Sequence, residues 1–203
     1  MRKNFEFALS EVLKYEGGFV NDPHDPGGMT NKGITAKTYA EYTGRRISTI
    51  TEQEMRNLPD SIVTSIYKRK YWDACKCDIL PAGLDFQVFD YSVNSGPGRA
   101  IKHLQECLAV EADGLIGPDT LKHISDKPIS ELIKEYGKVR LDFLKGLPTY
   151  AYYGNGWSSR VNKTMITSMC LITDIPELKP KYIQEVPSRI DEETRQRALA
   201  SVK

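Results

Sequence analysis

The sequence predicts a mainly α-helical protein with one small β-turn or hairpin region near residues 19–35. Two observations carry this prediction. Apolar residues recur at helical spacing along most of the chain, as in the segments 62–71 and 132–143. The stretch 19–35 instead has short β-tolerant pieces bracketed by Gly, Asn and Asp, which is typical of a hairpin. With 203 residues, the chain is long enough for one compact domain or for a domain with an appendage.

The first predicted helix carries a glutamate on its apolar face. The apolar stripe runs through Phe5, Leu9 and Val12. Glu16 continues this spacing, roughly 20° from Phe5 around the helix axis. We expect the Gly-Gly pair at 17–18 to end the helix in a left-handed conformation. Burial and the helix-end charge would then raise the pKa of Glu16 above about 4.3, as proton donation requires. The alternative is a structural glutamate that pairs with an arginine or caps a loop.

The helix leads into a loop rich in glycine and in aspartate-proline steps, YEGGFVNDPHDPGGMTNKGIT at 15–35. Two such steps fix two bends, so Asp25 lies in a stiff turn nine residues after Glu16. Thr30 and Asn31 add short polar groups just beyond it, and Asn31 is a candidate substrate contact. Hydrolysis of a glycosidic bond uses a carboxylic acid together with a second carboxylate. A surface hairpin with Asx turns is the alternative interpretation.

Caps and chain breaks predict the remaining elements. Thr51 and Glu54 fit a capping box, which indicates the start of a helix. Residues 84–93 alternate like a strand but can also form a helix that is buried on several sides, and we predict the helix. A Gly-Pro-Gly break at 96–98 separates it from the next segment. Recurring prolines and a polar end predict a peripheral tail over residues 171–203.

Candidate substrate contacts lie in two further places. Tyr91, Asn94 and Ser95 precede the Gly-Pro break, where side chains can face a cleft. Tyr153 and Trp157 lie in a segment whose glycine spacing predicts a loop, and their rings could stack against sugars. Core packing is the alternative role, above all for Tyr91 and Trp157.

Two other motifs are explained without a ligand. Asp90 is predicted to be structural, bonding a helix N-terminus or an arginine. In the stretch DGLIGPDT at 113–120, turn glycines followed by Pro118 as the first helical residue account for the conformation.

Composition argues against several classes of partner. The formal net charge is +1, and no basic run with interleaved aromatics is present, so we expect no nucleic-acid binding. The four cysteines and three histidines lack zinc-site spacing and a disulfide framework, which predicts buried, reduced thiols and no metal. The sequence has no 18-residue apolar run and no signal-peptide core. We therefore expect no membrane insertion and synthesis in the cytoplasm without a signal peptide.

Several motifs together resemble one known family. EGG at 16–18 followed by DPGGMTNKGIT at 25–35 resembles the signature of glycoside hydrolase family 108, lysozyme-like N-acetylmuramidases found in phage endolysins and in bacterial proteins. The segment 66–105 resembles the family's YW, LP, DxxVNSGP and LQ series. Residues 108–121 resemble its peptidoglycan-binding-like element, and residues 154–160 resemble its terminal GW-x-x-R. The resemblance implies a lysozyme-like fold.

The resemblance also implies roles for residues of the loop. The glutamate of the family's EGG is the catalytic acid, which gives Glu16 that role. The order Glu, Asp, Thr is similar to that of phage-type lysozymes, which would give Asp25 and Thr30 the task of holding the attacking water. The spacing from Asp25 to Thr30 is one residue shorter here than in those lysozymes.

The implied organisation is a lysozyme-like catalytic part at 1–95, a helical peptidoglycan-binding-like part at 96–170 packed against it, and the tail. The implied reaction is hydrolysis of the β-1,4 bond between N-acetylmuramic acid and N-acetylglucosamine, without metal or cofactor. The expected partner is the glycan strand of peptidoglycan, reached after release to the cell wall or periplasm, and the expected state is a monomer. Two alternatives are a non-catalytic wall-binding or secretion-assisting protein and a lytic transglycosylase.

Overall fold

The computed structural model describes residues 2–21 and 28–173, and the chain in these ranges is mainly helical. The predicted helical class and the small hairpin are confirmed. The α-helices are α1 Arg2–Leu13, α2 Ala36–Thr43, α3 Glu52–Arg56, α4 Asp60–Tyr67, α5 Leu84–Ser95, α6 Pro97–Cys107, α7 Pro118–Ser125, α8 Ile129–Lys145 and α9 Tyr150–Ile172, and the strands are β1 Thr30–Asn31 and β2 Ile34–Thr35. Short helical turns lie at Ile47–Thr49, Lys68–Trp72 and Cys77–Ile79.

The described residues form two compact units. The smaller unit comprises residues 5–70, and the larger unit comprises residues 2–4 and 71–173. The sequence places the division between a catalytic and a peptidoglycan-binding-like part at residue 95, and that functional division remains a prediction. The predicted tail lies outside the described residues from residue 174 onward.

The smaller unit builds its core around the hairpin and two short helices. The apolar stripe of α1 is buried, as its spacing predicts. The predicted capping box is also present at the start of α3, where Thr51 and Glu54 bond each other's backbone N–H. Residues of α2, α3 and the segment before α3 form a buried cluster that Phe19, Met29 and Tyr39 cover: Ala36, Ala40, Ile50 and Met55.

The larger unit is organised around α5. This helix packs against α6, α8 and α9, and every residue from Leu84 to Ser92 is buried. The helix predicted over 84–93 is therefore confirmed. Its strand-like alternation has a simple reason, because a helix that is covered on several sides carries apolar residues on all of its faces.

The described residues contain neither a candidate membrane span nor a candidate metal-binding cluster. None of the helices combines the length and the apolar character that crossing a bilayer requires. Within the same ranges, no group of three or more His, Cys, Asp or Glu side chains is arranged to hold a metal ion.

Candidate active site

Glu16 lies three residues beyond the end of α1 and is partly buried. The prediction that this helix continues to Glu16 and ends in a left-handed glycine is wrong, because α1 ends at Leu13 and neither Gly17 nor Gly18 has a positive φ. The segment pairs with the hairpin instead, since Gly17 O accepts a hydrogen bond from Lys32 N at 3.1 Å. The Gly17 carbonyl therefore bonds the hairpin.

The hairpin beside Glu16 has a tight two-residue turn. Lys32 and Gly33 join β1 to β2, and their φ values are +48° and +72°. Positive φ at both central residues is characteristic of a type I′ turn, whose twist matches that of the two strands. On its other edge, β1 pairs with Val20 through Thr30, with N–O distances of 2.8 and 2.9 Å. The chain that follows Glu16 thus adds a short bridged segment at Val20 to the β1 edge of this small sheet.

The Glu16 carboxyl and the Tyr67 hydroxyl converge on Gly33. A methyl group on Gly33 would lie 2.6 Å from Glu16 Oε2 and would also overlap Tyr67 Oη. The Tyr67 hydroxyl donates a hydrogen bond to Lys32 O at 2.9 Å. Gly33 therefore meets two demands at once, the left-handed turn and the close approach of a carboxyl and a phenol. Tyr67 fixes the turn against which Glu16 lies.

The hairpin carries two of the predicted site residues on opposite faces of β1. Asn31 is buried, and its amide donates to the backbone carbonyls of Met55 at 2.7 Å and Arg56 at 3.2 Å. It ties the hairpin to the end of α3, so its predicted substrate contact has no support from the geometry. Thr30 is partly buried on the other face. Asp25 lies outside the described residues.

Two other carboxylates of the smaller unit are poor proton donors. A hydrogen bond from the Arg45 guanidinium, together with bonds from Thr51, lowers the pKa of Glu54 to about 2. Hydrogen bonds from Arg56 and Asn21 also lower the pKa of Glu52. A group that is ionised at every moderate pH cannot donate a proton to a leaving oxygen. Neither residue competes with Glu16 for the role of acid.

Tyr91 is a core residue of the larger unit. Its side chain has no exposed surface, and its hydroxyl lies 2.8 Å from His103 Nδ1. Its ring packs against Tyr136 at 5.7 Å and beneath the Arg140 guanidinium at 4.8 Å. A ring enclosed in this way has no face left for a sugar. The predicted substrate contact at Tyr91 is therefore not supported, and core packing, the alternative role, is what the structure shows.

The remaining candidates also lie in the larger unit. Asn94 is exposed and Ser95 is partly buried in the last turn of α5, where Ser95 Oγ donates to Asn94 Oδ1 at 3.0 Å. Tyr153 and Trp157 lie on α9, so the prediction of a loop at these residues is wrong. The helix accommodates the glycines because one of them, Gly154, leaves room for the ring of Tyr150.

Sequence reasoning missed Gly33 and Tyr67 as parts of the site. Tyr67 fits the apolar spacing of α4, which gives no sign that its hydroxyl reaches the hairpin. Gly33 could have been predicted from the sequence. A glycine at the second position of a two-residue connection between two short β-tolerant pieces is typical of a hairpin turn.

Comparisons with known proteins agree with this arrangement. The family model described as Glycosyl hydrolase 108 matches residues 9–96, which include Glu16, the hairpin and Tyr67. Among twelve matching chains of solved structures is one titled "Structure of Brucella abortus SagA". The two chains are 37% identical with a TM-score of 0.76, and the alignment covers 87% of this chain and 99% of that one.

The chain belongs to glycosyl hydrolase family 108. As a family 108 member it has the mainly helical, lysozyme-like fold that the sequence predicts, with its hairpin beside the helix that leads to Glu16. A comparison with curated proteins gave no significant match.

Proposed function

We propose that this family 108 protein is an N-acetylmuramidase of the endolysin type, with Glu16 as its general acid. It hydrolyses the β-1,4 bond between N-acetylmuramic acid and N-acetylglucosamine. The observation that carries the proposal is the close approach of the Glu16 carboxyl to Gly33 at a type I′ turn, where the Tyr67 hydroxyl also lies close to Gly33. A carboxyl that is positioned by packing and still partly exposed can reach a glycosidic oxygen.

The second carboxylate of the reaction is Asp25 in this proposal. Glycosidases protonate the leaving oxygen with one carboxylic acid and use another carboxylate to activate water or to attack the sugar. Asp25 follows Glu16 by nine residues and precedes β1, whose Thr30 completes the water site. This chemistry needs no metal or cofactor.

The substrate of this proposed muramidase is the glycan strand of peptidoglycan. The protein acts as a monomer, and it reaches the bacterial wall after synthesis in the cytoplasm and release. A lytic action of this kind is typical of the phage endolysins that the sequence resembles.

Mass spectrometry of digested peptidoglycan tests the reaction directly. A muramidase leaves products that end in reducing N-acetylmuramic acid. Products that end in the anhydro sugar would indicate a lytic transglycosylase, and intact peptidoglycan would indicate a wall-binding protein. Either of the last two results would contradict the proposed hydrolysis.

Asp25→Asn is expected to abolish most turnover while leaving the fold intact. The amide is nearly isosteric with the carboxylate, but it is a poor base. Wall-lysis rates and melting curves on the same preparations measure the two effects. Asp22→Asn, in the preceding aspartate-proline step, is the matched control and should lyse wall normally. Near-normal lysis by Asp25→Asn would move the second role to another residue.

Gly33→Ala is expected to reduce lysis far more than its backbone effect alone explains. The added methyl group would force Glu16 Oε2 away from its position, since the two would lie 2.6 Å apart. Gly44→Ala is the matched control, because Gly44 has a similar φ of +68° and no atom within 4 Å of an added methyl group. Both variants should lose about 1 kcal/mol of stability from the left-handed backbone, and Gly33→Ala should lose more, because its methyl group would also overlap the Tyr67 hydroxyl. Urea unfolding measures both losses, and lysis is compared where both variants are folded. Equal lysis rates for the two would show that the close approach to Glu16 is unimportant.

A further inference from the structure

Tyr67 is a buried phenol whose hydroxyl reaches a hairpin turn far from it in the sequence. It is the last residue of α4, and only 1% of its surface is exposed. The chain continues as a π-helical turn, Lys68–Trp72, and such wide turns are rare and occur frequently at functional sites. A buried phenol needs a hydrogen-bond partner, and Tyr67 has one in Lys32 O at 2.9 Å. The hydroxyl is therefore held at the turn between β1 and β2.

The acceptor fixes the direction of this hydrogen bond. A carbonyl oxygen can only accept, so the single hydrogen of the Tyr67 hydroxyl goes to Lys32 O. Any further group that bonds the hydroxyl oxygen must then donate to it. A carboxyl group can donate only while it carries its proton, because a carboxylate is an acceptor only. The Tyr67 oxygen can thus bond a carboxylic acid but has no hydrogen left for a carboxylate.

The Glu16 carboxyl is close enough to be such a donor. Glu16 Oε2 and Tyr67 Oη would both overlap a methyl group on Gly33, so the two oxygens are at most about 5 Å apart. The glycine leaves the space beside both of them open. Hydrogen bonds of catalytic groups are often long in a free enzyme and shorten in the complex with substrate. All three residues lie in the smaller unit, so this geometry belongs to one compact body.

We propose that Tyr67 is a positioning residue that accepts a hydrogen bond from the carboxylic acid form of Glu16 and so keeps this acid protonated until it meets substrate. The role rests on the proposed function, in which Glu16 is the general acid. Hydrogen bonding to the neutral form raises the pKa of a carboxyl, so a larger fraction of the protein is ready to donate near neutral pH. After its proton has moved to the glycosidic oxygen, Glu16 takes a new proton from solvent and bonds Tyr67 again.

Other ionisable groups on the neighbouring elements also act on the Glu16 carboxyl. They have both signs, and they are Glu11, Lys14, Lys32, Asp60, Lys68 and Lys70, together with Asp25 of the loop and the phenol of Tyr15. Two pairs among them are ion pairs, Lys14 with Glu11 and Lys32 with Asp60. All of these groups stay in place when Tyr67 is replaced by phenylalanine. A comparison of the two proteins therefore isolates the hydroxyl.

The first test compares the pH profiles of wall lysis by the wild type and by Tyr67→Phe. The alkaline limb of the profile marks the loss of the proton from the general acid. Without the hydroxyl, this limb should move to lower pH by roughly one unit, the effect of a hydrogen bond that only one protonation state can form. Lysis should then fall about tenfold on the alkaline limb and change little on the acidic side of the profile.

Tyr136→Phe is the matched control for this experiment. Tyr136 is also fully buried, and its hydroxyl also donates to a backbone carbonyl, Ala100 O at 2.7 Å. It lies in the larger unit, whereas Glu16 lies in the smaller one. The control removes the same chemical group from the same kind of bond, so its alkaline limb should lie at the wild-type pH.

A carbon-13 titration of the Glu16 carboxyl follows the same proton without turnover. The signal is assigned by its absence in Glu16→Gln. In the wild type its midpoint is expected above the ordinary glutamate value of about 4.3, and in Tyr67→Phe it is expected at lower pH than in the wild type. The wild-type titration tests the proposal even where Tyr67→Phe does not fold.

Three results would overturn the role of Tyr67. Lysis by Tyr67→Phe that falls equally at every pH would show that the hydroxyl only supports the turn. A midpoint that moves to higher pH in this variant would show that the hydroxyl donates to the Glu16 carboxylate instead. A wild-type carboxyl midpoint at or below the ordinary glutamate value is the third. Retained wall lysis by Glu16→Gln would contradict the proposed acid, whereas the carbon-13 midpoints would still measure the hydrogen bond, so the two failures are distinguishable.

Discussion

Glu16→Gln is expected to lower the rate of wall lysis by roughly 10²-fold or more, the usual size of a general acid–base contribution. The amide keeps the shape and volume of the side chain that lies beside Gly33, but it cannot donate a proton to the leaving oxygen. Lysis of purified wall, followed by turbidity beside the wild type, measures the effect.

Stability should change little in this variant. Glu16 keeps part of its surface in water, and glutamine has nearly the same shape and volume, so the packing beside Gly33 is retained. Glu11→Gln is the matched control, because Glu11 lies on α1 and forms a surface ion pair with Lys14. It should lyse wall at the wild-type rate, since such pairs contribute little. If Glu16→Gln were destabilised and still lysed wall, Glu16 would be a structural residue and the proposed mechanism would fail.

The sequence predicts those features of this fold that depend on local pattern. The capping box at Thr51 and Glu54 needs only two side chains three residues apart. The helix over 84–93 follows from its length and its apolar character on all faces. Pro118 begins α7, as its place after Gly117 predicts. In each case the determining residues lie within one turn or one helix of each other.

Features that depend on distant contacts could not be predicted in this way. α1 ends at Leu13, and Gly17 then pairs with Lys32, a distant contact that no local pattern reveals. The sequence suggested that Asn31 is a polar loop residue that contacts substrate. Its amide instead donates hydrogen bonds to the backbone carbonyl groups at the end of α3. The glycines near Trp157 suggested a loop, but Gly154 lies inside α9 because the Tyr150 ring needs its space.

For Asp90, the sequence predicted the kind of partner but not the full set of contacts. Asp90 was expected to bond a helix N-terminus or an arginine, and the arginine contact is confirmed. The structure adds that two arginines share this carboxylate, Arg140 at 2.5 Å and Arg160 at 2.9 Å, with Thr164 also donating at 3.2 Å. Arg160 is the arginine of the GW-x-x-R motif, so this part of the family's signature has a structural explanation in the larger unit.

The Asp90 cluster joins three helices around one buried charge. Asp90 on α5 and Arg140 on α8 are each 1% exposed, and Arg160 and Thr164 come from α9. Burial alone would raise the pKa of the Asp90 carboxyl, but the guanidinium groups of Arg140 and Arg160 outweigh it and hold this pKa below its ordinary value. The carboxylate is therefore ionised at neutral pH and compensates two cations that have little access to water.

Asp90→Asn is expected to destabilise the protein by about 3–5 kcal/mol, because it leaves two buried guanidinium groups without their anion. For a chain of this size the melting temperature should fall by roughly 6–20 °C. Both tryptophans lie in the larger unit. Urea unfolding followed by their fluorescence therefore measures the loss of unfolding free energy in the unit that contains Asp90. Asp142→Asn is the matched control, because Asp142 is 57% exposed on α8 and lies 3.7 Å from Lys145. It should stay within about 0.5 kcal/mol of the wild type.

The same cluster predicts how stability depends on pH. Because the pKa of Asp90 is lowered in the folded state, its contribution is fully present above the unfolded pKa of about 3.9 and is lost as the pH falls through the folded value. Wild-type stability should therefore decline below about pH 4, and the decline should be shallower in Asp90→Asn, which has no proton to bind at this position. Urea midpoints for both proteins between neutral pH and about pH 3 give the two slopes directly. Parallel slopes, or an Asp90→Asn midpoint equal to that of the wild type at neutral pH, would show that the two arginines do not need this carboxylate.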